Sequence, residues 1–297
     1  MKLAVDSAVG RHDAYVYSGG KPFDPALPTI LFVHGAMHDH SVWTLLARWF
    51  AHHGHGVLAP DLPGHGRSAG PPLASIEAIA DWLLGLLDAA GVRRAGLVGH
   101  SMGSLIALEA TSRAPDRASR LVMIGTAYPM AVSPALLAAA RTDPDAAIDS
   151  VNAFSHSTLA SKPSYPGPGV WLHGSNRILM RRLQAAQTQT NLFLSDFEAC
   201  DRYANGLVAA AHVSCSTTMV LGARDQMASP AKTAVIADAL GAHVVTLPAG
   251  HALMSEVPDA LLAALRSALS TDAGSPAIAR SATPGTGAAS APASTPY

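Results

Sequence analysis

Gly99-His100-Ser101-Met102-Gly103 is the stretch on which the reading of this chain turns. A short apolar run, Ala95-Gly96-Leu97-Val98, leads into it, and a helix-like pattern from Met102 to Arg113 leads out, ended by Pro115. The motif G-x-S-x-G has a steric meaning. A serine on a sharp strand-to-helix turn is held at a strained backbone angle, and the residues two before and two after must be small because the arms of the turn nearly touch. Gly99 and Gly103 meet that demand, and Ser104 is small as well. The five-residue pattern alone arises by chance in about one chain in five of this length, so an incidental serine in a glycine-rich turn is the alternative. The strand before it and the helix after it are the setting the motif needs.

Outward from the turn, short apolar runs alternate with helix-like stretches. Candidate strands lie at 3–7, 14–18, 29–34, 56–60, 95–99, 121–125, 217–221 and 243–247. Ile30-Leu31-Phe32-Val33 and Leu121-Val122-Met123-Ile124 are apolar on both faces, as suits strands covered by helices on each side of a parallel sheet. Ser75 precedes a helical stripe of Ile76, Ile79, Ala80, Leu83 and Leu87, and Gly91 supplies its stop. A second helix is expected at 42–51. The alternation predicts an α/β fold with right-handed crossovers. It is broken between about 127 and 213, where helix-like pieces flank Pro163-Ser164-Tyr165-Pro166-Gly167-Pro168-Gly169 and no strand is evident. This reads as a helical insertion over the carboxyl edge of the sheet, where ligands bind in open α/β sheets. The stretch 271–297, rich in Ala, Ser, Thr, Pro and Gly, reads as a flexible low-complexity tail.

Composition narrows the function classes. The 297 residues are 49% hydrophobic, ample for a large core. Twenty Lys and Arg against 21 Asp and Glu leave no basic stripe, so nucleic acid is not an expected partner. Cys200 and Cys215 have neither disulfide-framework nor zinc spacing. No run approaches the ~20 apolar residues of a membrane span, and the charge at Asp6 interrupts any secretory pattern, so a cytoplasmic protein without a membrane partner is expected.

Five motifs in order resemble the α/β-hydrolase family over about residues 29–265. His34-Gly35 ends the third strand, and Asp61-Leu62-Pro63-Gly64-His65-Gly66-Arg67-Ser68 follows the fourth. The serine turn follows the fifth, an aspartate follows the strand after the insertion, and a histidine follows the last strand. The resemblance implies a mostly parallel central sheet of about eight strands flanked by helices, with a helical cap. Residues 1–126 and 214–270 would form the core and 127–213 the cap.

Ser101 is then the expected nucleophile. Asp225, just beyond a strand, is placed to orient a histidine; the place after the preceding strand reads Gly125-Thr126-Ala127, with no carboxylate. Among 14 histidines, His251 follows the last strand, whereas His243 begins that strand and His212 lies near the end of the insertion. The order Ser, Asp, His is the order this fold uses. The Met102 amide at a helix start favours a developing oxyanion, and the resemblance implies Ala36 as the second donor.

The expected activity is hydrolysis of a carboxylic ester of a small to medium apolar molecule through an acyl-enzyme, with no cofactor and no metal. The same residues also serve lactones, thioesters, peracid formation, some amides and C–C cleavage in the family, and a non-catalytic ligand receptor is the alternative of another class. Aspartate-nucleophile relatives, the dehalogenases and epoxide hydrolases, are disfavoured by serine at 101. Met130, Trp171, Met227 and Leu253, together with Met102 and Met254, are candidates for the pocket wall. His38-Asp39-His40 lacks the spacing of a metal site and reads as a polar loop. His52, His53 and His55 read as solvated, and 61–68 as a structural turn. Oligomeric state is left open.

Overall fold

The structure is a computed structural model that describes residues 1–157 and 171–270; the proline-rich run at 163–169 and the expected tail at 271–297 lie outside the described residues. Eight strands form one sheet: β1 (Lys2–Ser7), β2 (Gly10–Tyr17), β3 (Thr29–Val33), β4 (Gly56–Pro60), β5 (Ala95–His100), β6 (Ala118–Ile124), β7 (Thr217–Gly222) and β8 (His243–Leu247). Their order is β1-β2-β4-β3-β5-β6-β7-β8. From β4 across to β8 every neighbouring pair is parallel, and β2 alone runs the other way. The mostly parallel eight-stranded sheet expected from the sequence is therefore present.

Every residue of β3, β4 and β5 is buried, which is why these strands carry continuous rather than alternating apolar character. At the edge, β8 is mostly exposed on its outer positions. Strand β2 starts at Gly10, four residues earlier than the apolar run suggests. Pairing with β1 in a hairpin supplies the backbone hydrogen bonds of Arg11-His12-Asp13 whatever their side chains.

Eleven α-helices are described. On one face of the sheet lie α2 (Ile76–Ala89), α3 (Met102–Arg113), α8 (Gly206–His212) and α9 (Ala234–Leu240), which share an apolar cluster with the strands. On the other lie α1 (Thr44–His52), α10 (Leu253–Glu256) and α11 (Pro258–Leu269). The expected signals for α2 act as read. Ser75 accepts a hydrogen bond from the Ala78 amide at 3.2 Å, and Gly91 follows the helix with φ +68°.

Between β6 and β7 come α4 (Pro134–Thr142), α5 (Pro144–Ser155), α6 (Leu172–Ala186), α7 (Leu192–Arg202) and α8. This stretch does not pack as one body. Ile148, Met180, Leu183, Phe193 and Phe197 from α5, α6 and α7 build a cluster of their own. Ala209 and Ala210 of α8 instead join the core against the sheet, because α8 lies along α3. Among the described residues no helix is long and apolar enough to cross a membrane.

Candidate active site

Because β3 and β5–β8 run parallel, their carboxyl ends share one edge, and the loops that leave it meet over a single cavity. Ser101 sits between β5 and α3 at φ +53°, ψ −121°, a left-handed conformation that L side chains avoid. Its amide is held by Ile124 O at 2.9 Å. The small-residue demand is literal. A Cβ on Gly99 would strike the Gly103 carbonyl and approach Ser104 N to 2.6 Å; one on Gly103 would strike the carbonyls of Val33 and His34. The strained serine is thus clamped between backbone segments of two strands and a helix.

Asp225 leaves β7 and His251 leaves β8. Asp225 Oδ2 accepts the proton on His251 Nδ1 at 2.8 Å, and Asp225 Oδ1 accepts the Met227 and Ala228 amides, each at 2.8 Å. Burial alone would raise the Asp225 pKa; the His251 charge and these hydrogen bonds outweigh it and hold the carboxyl below its usual range. Nδ1 being committed to Asp225, Nε2 is the nitrogen left for chemistry. His251 and Ser101 line the same cavity, and no hydrogen bond joins the two side chains in this structure. His243 and His212 are exposed and stand away from this edge.

The expected oxyanion donors lie on either side of Ser101. Met102 N opens α3, and Ala36 is in the loop after β3; neither amide is engaged by another described residue. The loop is pinned on both sides of Ala36. The Leu62 amide donates to His34 Nε2 at 3.0 Å, so the His34 proton is on Nδ1 and is donated to Gly35 O at 2.9 Å. Gly35 O also accepts from His38 N at 3.3 Å. In a trans peptide the carbonyl and the next N–H point in opposite directions, so pinning Gly35 O aims the Ala36 N–H the other way.

The cavity has a volume of about 340 Å³ and an apolar wall that includes Val132, Leu136, Phe154, Met180 and Phe197. Met130 and Met227 line it. Trp171 and Leu253 do not. Leu253 is fully buried against α11 on the far face of the sheet, and Trp171 is 46% exposed beneath the Arg177 guanidinium. Both lie within two residues of a motif or the insertion, but α10 turns one inward and the start of α6 turns the other outward. Met254 and Met102 are likewise buried off the cavity wall.

Two polar contributors, His100 and Asn176, are not singled out by the sequence, and a third, His38, is read there only as part of a polar loop near the oxyanion region. His100, the variable residue of the serine motif, donates Nε2–H to His251 O at 2.9 Å and so ties the two loops together. His38 lines the cavity, stacked on His100 at 5.9 Å between ring centres, and donates to Asn176 Oδ1 at 3.0 Å. Burial pushes His38 down to about 4 and His100 well below the usual histidine value, so both rings are neutral near pH 7. Position inside the serine motif was the available signal for His100, and proximity to His34-Gly35 that for His38; Asn176, on α6, carried none. Asp39, His40 and Asp61 place ligand atoms within 4.8 Å of one another. Their oxygens are already occupied: Asp61 accepts from His40 and Arg67, Asp39 from Ser41 and Arg182. Within the fold these hydrogen bonds close turns.

Comparison with known proteins bears on the fold and the family. The chain is 38% identical over 102 residues to the sn-1-specific diacylglycerol lipase ABHD11 of Mus musculus, a match over 34% of this chain and 33% of that protein. It is 38% identical over 94 residues to an epoxide hydrolase of Caballeronia sordidicola, over 30% of this chain and 28% of that one. The chain thus spans about a third of the length of these curated relatives. Its fold superposes on an esterase from Exiguobacterium antarcticum with a TM-score of 0.76 and 15% identity, covering 91% of this chain and 99% of the other. The alpha/beta hydrolase family model matches residues 30–264, from β3 into α11. A match of that extent, over a sheet with this strand order, makes the chain a member of the alpha/beta hydrolase family.

Proposed function

We propose that this hydrolase cleaves a carboxylic ester of a small to medium, apolar molecule, with Ser101 as nucleophile, His251 as general base and Asp225 as its orienting carboxylate. The observation that carries the reading is the 2.8 Å Asp225–His251 hydrogen bond behind a cavity that also receives the strained Ser101. His251 Nε2 takes the Ser101 proton as Oγ attacks the ester carbonyl. The carbonyl oxygen becomes an oxyanion facing the Ala36 and Met102 amides. The alkoxide leaves with the proton from His251, and water repeats the sequence to free the acid. No step calls on a cofactor.

A wall of Val, Leu, Phe and Met side chains favours an apolar acyl or alcohol group, and 340 Å³ is near the lower end of the ~300–1,000 Å³ usual for ligand pockets. Serine at 101 supports ester rather than epoxide chemistry, since it forms an acyl-enzyme.

Two measurements on one pair of proteins test this. A fluorophosphonate probe should label Ser101 stoichiometrically, and nitrophenyl esters of increasing acyl length should show turnover that peaks at short to medium chains. In Ser101→Ala labelling should vanish and turnover drop by at least ~10³. Undiminished labelling in that variant would sink the assignment.

A further inference from the structure

The loop that carries Ala36 is held by the helical insertion at consecutive residues. Met37 N donates to Asp196 Oδ2 of α7 at 2.8 Å, His38 Nε2 to Asn176 of α6 at 3.0 Å, and Arg182 of α6 donates to Asp39 Oδ2 at 2.7 Å. The Met37 side chain, fully buried, enters the apolar cluster of α5–α7 rather than the core of the sheet. Met37 also sits at φ +56°, a conformation a non-glycine residue keeps only when its surroundings enforce it.

The Asp196 carboxylate also makes a second buried contact. Its Oδ2 faces His65 Nε2 at 2.9 Å as well, while His65 Nδ1 faces Pro63 O at 3.0 Å. A carbonyl can only accept, and the other nitrogen meets a carboxylate, so a doubly protonated ring satisfies both contacts. Burial opposes the charged ring, but the Asp196 charge and its hydrogen bond outweigh it and hold His65 above the usual histidine value. Both side chains are nearly inaccessible to solvent, 2% and 4%. Gln187 adds a tether by donating to Gly64 O at 2.7 Å in the same turn as His65.

We propose that Asp196, braced by His65, is a positioning residue for the oxyanion hole. By fixing the Met37 amide it sets the peptide plane on one side of Ala36, while His34 sets the plane on the other. With both planes fixed, the Ala36 N–H has one direction. The insertion is then part of the catalytic frame as well as a cover for the cavity. This rests on the reading of Ser101 and Ala36 given above.

Asp196→Asn keeps shape and one acceptor but removes the charge that keeps His65 doubly protonated. Loss of a whole oxyanion donor costs about 10²–10³ in kcat, so a misaimed one should cost about 10–100-fold, with KM within about threefold. The rate of fluorophosphonate labelling at Ser101 should fall in step, because the phosphonyl oxygen seats in the same hole. His65→Gln, which keeps an N–H toward Asp196 without charge, should fall between wild type and Asp196→Asn; it decides the matter if the first variant does not fold. Folded variants whose kcat and labelling rate stay within twofold of wild type would overturn the proposal, as would a loss confined to KM. Amide hydrogen exchange at Met37 reads the clamp without any substrate: faster exchange in either variant supports it, and unchanged exchange overturns it. Failure of wild-type labelling would instead count against the reading of Ser101, with the clamp still judged on that amide.

Discussion

The turn at residues 99–103 and the loop at residues 35–39 border the same cavity, yet they are held by different means. The turn is locked by backbone against backbone: Gly99 against Gly103, Gly103 against Val33 and His34, and Ser101 N on Ile124 O. Its partners are neighbouring elements of the sheet core. The loop is locked by side chains that arrive from the insertion, 159, 138 and 143 residues away for Met37, His38 and Asp39. The proposed nucleophile, held by the sterics of the turn, should be insensitive to the cap, whereas the proposed oxyanion donor beside it inherits the placement of α6 and α7. The two halves of the proposed site should therefore fail differently: damage to the turn should cost folding, and damage to the loop should cost rate.

Gly103→Ala is the harshest test of that contrast. The added methyl would collide with two backbone carbonyls that cannot move independently of the sheet. A stability loss of at least ~3 kcal/mol, at or beyond the usual cost of overpacking, is expected from urea unfolding. A loss under ~1 kcal/mol would mean the turn is not sterically closed.

Acid should cost stability through the buried histidines at both the loop and the turn. Burial, with the neighbouring His65 charge, pushes His34 from 6.5 down to about 4. The unfolded chain thus takes up a proton below pH 6.5 that the folded protein refuses until about pH 4. The folded pKa lies below the unfolded one, so stability is lost as pH falls through that window, by up to about 1.4 kcal/mol per pH unit from this group. Urea midpoints measured from pH 7 to pH 4.5 should show the decline, and the slope should be shallower in His34→Asn. Equal slopes would remove His34 from the account. His100, in the turn at 99–103, is also held well below the usual histidine value by burial and adds to the decline in the same direction.

The mildest change is Arg182→Gln. The pair with Asp39 is short, but the arginine side chain is 64% exposed. A stability change below about 1 kcal/mol is expected from thermal or urea unfolding. With Met37 and His38 still held by Asp196 and Asn176, ester turnover should stay within about threefold, which separates the buried clamp from the exposed one. A rate loss matching that of Asp196→Asn would mean that the loop depends on all its tethers equally.

Much of the fold was legible because its causes are local. Continuous apolar runs announced β3 and β6, Ser75 and Gly91 bounded α2, and the spacing of small residues marked the strand-to-helix turn. Side-chain direction was not legible. Leu253 and Trp171 looked equivalent to Met130 and Met227 as apolar residues near motifs, but only the tertiary course of the chain decides which cavity a side chain faces. The end of the insertion was also blurred: α8 looks like more of the same helix-rich stretch, yet its small face packs on α3.

By itself, the amino-acid order pointed to the elements, their succession along the chain and the strand ends where Ser101, Asp225 and His251 were expected, because each is marked by short-range sterics and by the period of apolar residues. The tertiary structure alone decided how the oxyanion loop is held. Asp196 lies in an ordinary amphipathic helix with no motif around it, and its role exists only because α7 brings a buried carboxylate within 3 Å of both Met37 N and His65 Nε2. A hydrogen bond between residues so far apart leaves no trace in local composition; it depends on the packing of the insertion against the loops of the sheet.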